Sequence, residues 1–131
     1  MEIRKNSAVN SNEKIDKFGR APWGIQDTFS ELVIALKKKD AQLIIEKAAN
    51  LAHYVGDIHQ PLHTTRNFNG QETGNSGIHK RFEEDLLDLY KLQIYVKIPN
   101  EYKLKIISNI NTFTFQELKK TYSYLPQILQ A

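Results

Sequence analysis

Cysteine is absent from the chain. Disulfides, thiolate metal sites and thiol nucleophiles are excluded together, so any metal must be held by imidazole and carboxylate. The absence does not decide the compartment, because an exported protein whose core or metals suffice needs no disulfide. No apolar run approaches the length of a membrane span, and the opening MEIRKNSAVNSNEKIDKFG lacks the apolar centre of a signal peptide. No Gly-rich phosphate loop, GxSxG elbow or other nucleophile motif occurs, and there is no internal repeat, heptad seam or low-complexity segment. Nor is there a dense basic block: the net charge of +3 comes from Lys and Arg spread along the chain. That balance is compatible with a phosphate-bearing substrate and equally with a solvated lysine surface, the plainer account of Lys37, Lys38 and Lys39.

What is present suits one globular core. At 131 residues, with 40% hydrophobic and 25% charged residues, the chain is long enough for a single domain and too apolar for wholesale disorder. Residues 1–20 are polar and read as an irregular lead-in, leaving residues 21–131 as one helical domain. Trp23, inside GRAPWG, reads as a packing anchor in preference to a ligand-stacking ring. Phe29, Leu32, Val33 and Leu36 then make a helical stripe. Thr28 with Glu31 fits a capping box at its start, although Pro22 equally marks an earlier one. Asp40 caps a second helix with Ile44, Ala48, Leu51, Ala52 and Val55 inward, and Pro61 stops it just beyond Asp57.

The segment Thr64–Ser76 is rich in Asn, Gly and Thr and reads as a long loop of the kind that often carries function. A third helix is expected with Ser76 as N-cap, His79 in its first turn and Phe82, Leu86, Leu89 and Tyr90 inward. Ile94, Val96 and Ile98 suggest a short extended stretch, and Glu101 to Asn109 a fourth helix. A fifth is expected from the Thr114/Glu117 capping box, with Phe113 stapled onto Leu118 and Phe115, Leu118, Tyr122 and Leu125 inward until Pro126 ends it. Tyr122 and Tyr124 read as scaffold. The fold class is therefore all-α, with about five helices.

All four histidines, His53, His59, His63 and His79, fall between Leu51 and Glu83. Residues four apart on a helix lie about 5–6 Å apart at Cβ, close enough for both side chains to reach one metal ion. His53 with Asp57 is one such pair and His79 with Glu83 another; a single pair would be an ordinary surface ion pair. His63, just past the Pro61 break, joined to His79 and Glu83 gives two imidazoles and a carboxylate. That is the ligand count of a catalytic zinc site with positions left for water, and imidazole favours zinc over magnesium. His53 and Asp57 are too few to hold a zinc ion alone: either they orient another group or their partners lie elsewhere. His59 projects differently and reads as a partly exposed or hydrogen-bonded histidine. An HExxH reading fails, because Tyr54 follows His53 and Lys80 follows His79.

The order His53-x3-Asp57-x5-His63, a Gly/Asn-rich loop, then His79-x3-Glu83, and above all the string HYVGDIHQPLH, resembles the zinc-dependent phospholipase C and S1/P1 nuclease family. The resemblance runs from about Pro22 to Tyr90. It implies a multi-helix phosphoesterase with up to three zinc ions, hydrolysing phosphodiester bonds of nucleic acid or phospholipid by metal-activated water. It implies that His53 is a ligand of the first zinc, that Asp57 is the carboxylate bridging the first and third and positioning the water, and that His63, His79 and Glu83 are the protein set for the second. It implies a secreted or periplasmic protein. No histidine precedes His53, and Trp23 is internal, so the match is to the C-terminal portion of such an enzyme and to an incomplete version of its fold. Other outcomes are a truncated form or a non-catalytic zinc-binding helical domain. Tyr54, Arg66, Phe68 and Asn69 border a substrate or simply the loop surface.

Overall fold

A computed structural model describes residues 19–97 and 106–131. The described residues are helical with no strand, which makes the chain all-α as its periodicity requires. The longer helices are α1 (Ala21–Lys38), α2 (Ala41–His59), α4 (Leu86–Lys97) and α5 (Ile110–Tyr122); α3 (Ile78–Lys80) and α6 (Leu125–Leu129) are short. A 3₁₀ helix spans Pro61–Thr64 and a π-helical turn spans Arg81–Asp85. The chain groups into two compact units, one ending at Ile58 and one beginning at His59.

In the first unit Pro22, in the opening turn of α1, sets its start, where a missing N–H costs nothing. The Thr28/Glu31 capping box is therefore not used; Thr28 is buried inside the helix. The inward stripe is Ile25, Thr28 and Ala35, rotated from the expected one, with Phe29 and Leu36 exposed. Small residues decide this: Ala35 is fully buried, and Gly24 lets the Tyr54 ring of α2 approach to where an added Cβ would lie 2.9 Å from it. Lys39, in the left-handed region at φ 56°, ends α1 with its N–H on the carbonyls of Ala35 and Leu36. Asp40 then caps α2 as the sequence suggests, its Oδ1 accepting from the Leu43 N–H at 3.1 Å. On α2, Ile44, Leu51, Val55 and Ile58 turn at least partly inward, while Ala48 and Ala52 are exposed.

In the second unit a small core of Leu62, Ile78 and Leu125, with Phe82, Ile128 and Leu129 against it, joins the 3₁₀ helix to α3, the π turn and α6. Both α5 and α6 pack on the 3₁₀ helix. α5 starts earlier than the expected box: Asn109 is its N-cap, with Oδ1 accepting from the Thr112 N–H at 2.9 Å. Thr114 is instead an interior residue whose hydroxyl donates to the Ile110 carbonyl at 2.8 Å. Its buried face, Thr114 and Thr121, is offset from the expected stripe and leaves Tyr122 exposed. Pro126 does not stop α5, which has already ended; it sits in the first turn of α6. Ile94 and Val96 belong to α4, not to an extended stretch, and Ile98 lies outside the described residues. Of the expected helix from Glu101 to Asn109, residues 101–105 lie outside the described residues, and residues 106–109 are not helical. Along α4 Leu86, Leu89 and Tyr90 are exposed, so of its expected stripe only the preceding Phe82 is packed.

Lys47 on α2 reaches Glu31 on α1 at 2.9 Å and its neighbour Glu46 at 3.1 Å. The hydrogen bond to Glu31, then that to Glu46, raises the ammonium pKa above its ordinary value of 10.5. A raised folded-state pKa stabilises the fold below the unfolded value and loses that effect as pH climbs through the folded one. Glu31→Gln is expected to lower the thermal midpoint modestly at neutral pH, and the gap from wild type should close above about pH 10.5. Melts followed by circular dichroism across that range check it; a gap that persists at high pH contradicts the ion pair as its source.

Candidate metal centre

The centre is assembled from three short pieces of the second unit. The first is the 3₁₀ helix, which Pro61 opens and which Gln60 caps with its side-chain oxygen on the Leu62 N–H at 3.2 Å. Thr64 closes it by donating its hydroxyl to the Pro61 carbonyl at 2.6 Å. Pro61 and Leu62 are buried, which turns the adjacent His63 outward. The second piece is α3, begun by Gly77 in the left-handed region at φ 87° rather than capped by Ser76. It carries His79 beside the buried Ile78. The third is the π turn, whose extra residue per turn re-aims Glu83 relative to an ordinary helix; such turns recur at functional sites.

These pieces bring three donors together. His63 Nε2 lies 3.3 Å from His79 Nε2 and 3.2 Å from Glu83 Oε1, and His79 Nε2 lies 3.1 Å from Glu83 Oε2. His79 Nδ1 faces the Phe68 carbonyl at 3.3 Å. A carbonyl only accepts, so Nδ1 is the donor there and Nε2 is the ring nitrogen turned toward the cluster. Acceptors converging in this way repel unless a proton or cation sits among them. Tetrahedral zinc with bonds of about 2.0–2.1 Å places its ligand atoms roughly 3.3–3.4 Å apart. The closest separations in the set, 3.1–3.3 Å with one Glu83 oxygen toward each ring, are of that size, and among the described residues this is the set of three His, Asp or Glu side chains close enough to share an ion.

The other expected ligands are placed differently. His53 Nε2 and Asp57 Oδ2 pair at 3.5 Å on α2, with His53 largely exposed, and no group of three forms around them among the described residues. His59 is exposed, consistent with the expectation of a partly exposed or hydrogen-bonded histidine, and its Nε2 faces Glu117 Oε2 at 3.7 Å. Sequence reasoning missed Gln60, whose amide donates from Nε2 to Glu83 Oε1 at 2.9 Å. It also missed the Phe68 carbonyl. The Gln-Pro step was visible as a pattern, but no spacing rule links residue 60 to residue 83. Beside Glu83 an open, apolar groove of about 330 Å³ runs along Phe82, Leu86, Leu87, Tyr90 and Ile94.

The loop between His63 and His79 is ordered by its own polar groups. The buried Asn67 donates to the Thr73 hydroxyl at 3.0 Å and accepts from the Glu72 N–H at 2.7 Å. Gly70, at φ 73°, receives the N–H groups of Thr73 and Asn75 on its carbonyl. A Cβ there would run into the Asn75 backbone. Arg81 holds the far end, donating to the Ser76 carbonyl at 3.1 Å and to the Asn75 side chain. Asn75 in turn donates to the Leu129 carbonyl of α6 at 3.4 Å.

Two substitutions test this support. Gly70→Ala combines a left-handed backbone with a steric clash, and should destabilise the second unit by roughly 1–3 kcal/mol. Increased amide exchange between residues 66 and 77 is its local signature. Leu62→Ala empties a side chain with no solvent exposure and should cost roughly 2–5 kcal/mol in denaturant unfolding.

Comparison with known proteins returns no match among curated proteins and none among solved structures. The family model described as S1/P1 Nuclease matches residues 4–128, well beyond the Pro22–Tyr90 segment that carries the recognisable motif. With nearly the whole length matched and the motif's three donors gathered at one point, the chain belongs to the S1/P1 nuclease family.

Proposed function

We propose that the chain is a zinc-dependent phosphoesterase that cleaves phosphodiester bonds of nucleic acid, with His63, His79 and Glu83 holding the ion. The observation that carries this reading is the convergence of His63, His79 and Glu83, with closest separations of 3.1–3.3 Å and one Glu83 oxygen toward each ring, reached across two turns of different type and a long loop. Family membership supports hydrolysis of nucleic acid as the activity. Zinc held there would supply a Lewis acid for a phosphate oxygen and acidify a bound water. With one carboxylate among three protein ligands, the centre would keep a charge of about +1, suited to an anionic phosphodiester. The chain's own residues do the remaining work. The Phe68 carbonyl faces His79 Nδ1, the buried Leu62 and Ile78 seat the two histidines, and Glu83 faces both rings.

His53 and Asp57 are, on the same reading, two ligands of a separate centre, Asp57 being the bridging carboxylate that positions water. Export from the cytoplasm completes the proposal; no described helix is long and apolar enough to cross a membrane.

The test is metal content with and without each ligand. Native mass spectrometry of the purified chain is expected to show bound zinc. His63→Ala, His79→Ala and Glu83→Gln should each lose the ion from that centre and, with it, hydrolysis of single-stranded nucleic acid. Unchanged zinc content in all three variants would sink the assignment. Zinc retained by wild type without hydrolysis of nucleic acid or of phospholipid vesicles would instead support a non-catalytic zinc-binding domain.

A further inference from the structure

Gln60 connects two of the three ligand-bearing pieces through one planar amide. Its Oε1 accepts from the Leu62 N–H at 3.2 Å and so caps the 3₁₀ helix that carries His63. Its Nε2 donates to Glu83 Oε1 at 2.9 Å, across a separation of 23 residues. A primary amide combines acceptor and donor on a rigid frame, whereas a carboxylate or a hydrocarbon of the same length supplies at most one of these functions here. Glu83 Oε1 is also the oxygen that faces His63 Nε2, at 3.2 Å.

We infer that Gln60 is a positioning residue for the metal centre, holding the Glu83 carboxylate in register with His63. The inference rests on the zinc reading above. With Oε1 held by the amide and facing His63, Oε2, which faces His79, would remain the freer oxygen for a bound ion. Hydrogen bonds from outside the ligand set to a ligating carboxylate commonly govern affinity by one to two orders of magnitude.

The two roles of the amide separate by chain length. Gln60→Asn keeps a cap acceptor within reach of the Leu62 N–H, because Asn is a good N-cap, but it is one methylene too short for Glu83. Gln60→Met keeps the volume and loses both functions. The measurements, on the full chain, are zinc affinity by competition with a chromophoric chelator, the visible absorption of the Co²⁺-substituted protein, and the thermal midpoint of the metal-free protein. For Gln60→Asn the expected result is an about 10- to 100-fold weaker zinc affinity, with an unchanged metal-free midpoint. Its Co²⁺ absorption should be weaker, as a carboxylate freed to use both oxygens raises the coordination number. Gln60→Met should lose affinity and metal-free stability together.

Wild-type affinity and Co²⁺ spectrum in Gln60→Asn would overturn the inference. So would an affinity loss matched by a fall in the metal-free midpoint, which would make the residue merely structural. His79→Ala, measured alongside, tells the two failures apart. If it keeps its zinc, the metal reading falls and this inference with it. If it loses zinc while Gln60→Asn does not, this inference alone falls.

Discussion

Each of the three converging residues directly follows a residue of one apolar cluster: Leu62 precedes His63, Ile78 precedes His79, and Phe82 precedes Glu83. This register is the constraint on which the centre depends. A packed side chain fixes its own backbone, and the next residue's Cα is then fixed by covalent geometry. Metal ligation tolerates positional error of only about 0.2 Å. Three donors brought from a 3₁₀ helix, a short α-helix and a π turn are held near one another because their neighbours share one core. The helices that follow, α5 and α6, carry no ligand, yet they pack on the 3₁₀ helix and so back His63.

Packing sets where the donors are, and hydrogen bonds set which way they face. The Phe68 carbonyl turns His79 about its ring, the Gln60 amide meets the Glu83 carboxylate, and the Asn67 and Gly70 contacts hold the loop that presents Phe68. None of these bonds contributes much to stability singly, typically about 1 kcal/mol. Their effect is directional: each limits how a ring or a carboxylate can turn.

The convergence of His63, His79 and Glu83 was legible in the sequence because helical periodicity and the Pro61 break are local rules. His79 and Glu83 fall four apart, and His63 follows a proline that starts a new element. The all-α class was legible for the same reason. The details that failed depend on partners distant in sequence. The α1 stripe rotated because Gly24 and Ala35 permit close approach, which outweighs the larger Phe29 and Leu36. Ser76 lost the cap to Gly77 because the loop arrives there with positive φ, a conformation serine disfavours. Thr114 and Pro126 carry correct local signals in the wrong role, one interior to its helix and the other opening the next. The π turn has no sequence signature short of the Glu83 position itself.

The pairs His53–Asp57 and His79–Glu83 show what spacing alone leaves undecided. Both are histidine and carboxylate four residues apart, at 3.5 Å and 3.1 Å. His53 is 72% exposed and His79 24%. An exposed pair at that separation is screened by water and must order two side chains for an interaction worth about 0.2–1 kcal/mol. The second pair differs in having a third donor, a ring that also faces a backbone carbonyl and a carboxylate held from outside. Each of those additions comes from another segment, His63, Phe68 and Gln60 in turn. What gathers a third donor around an i, i+4 pair is therefore tertiary, and the spacing is only its first condition.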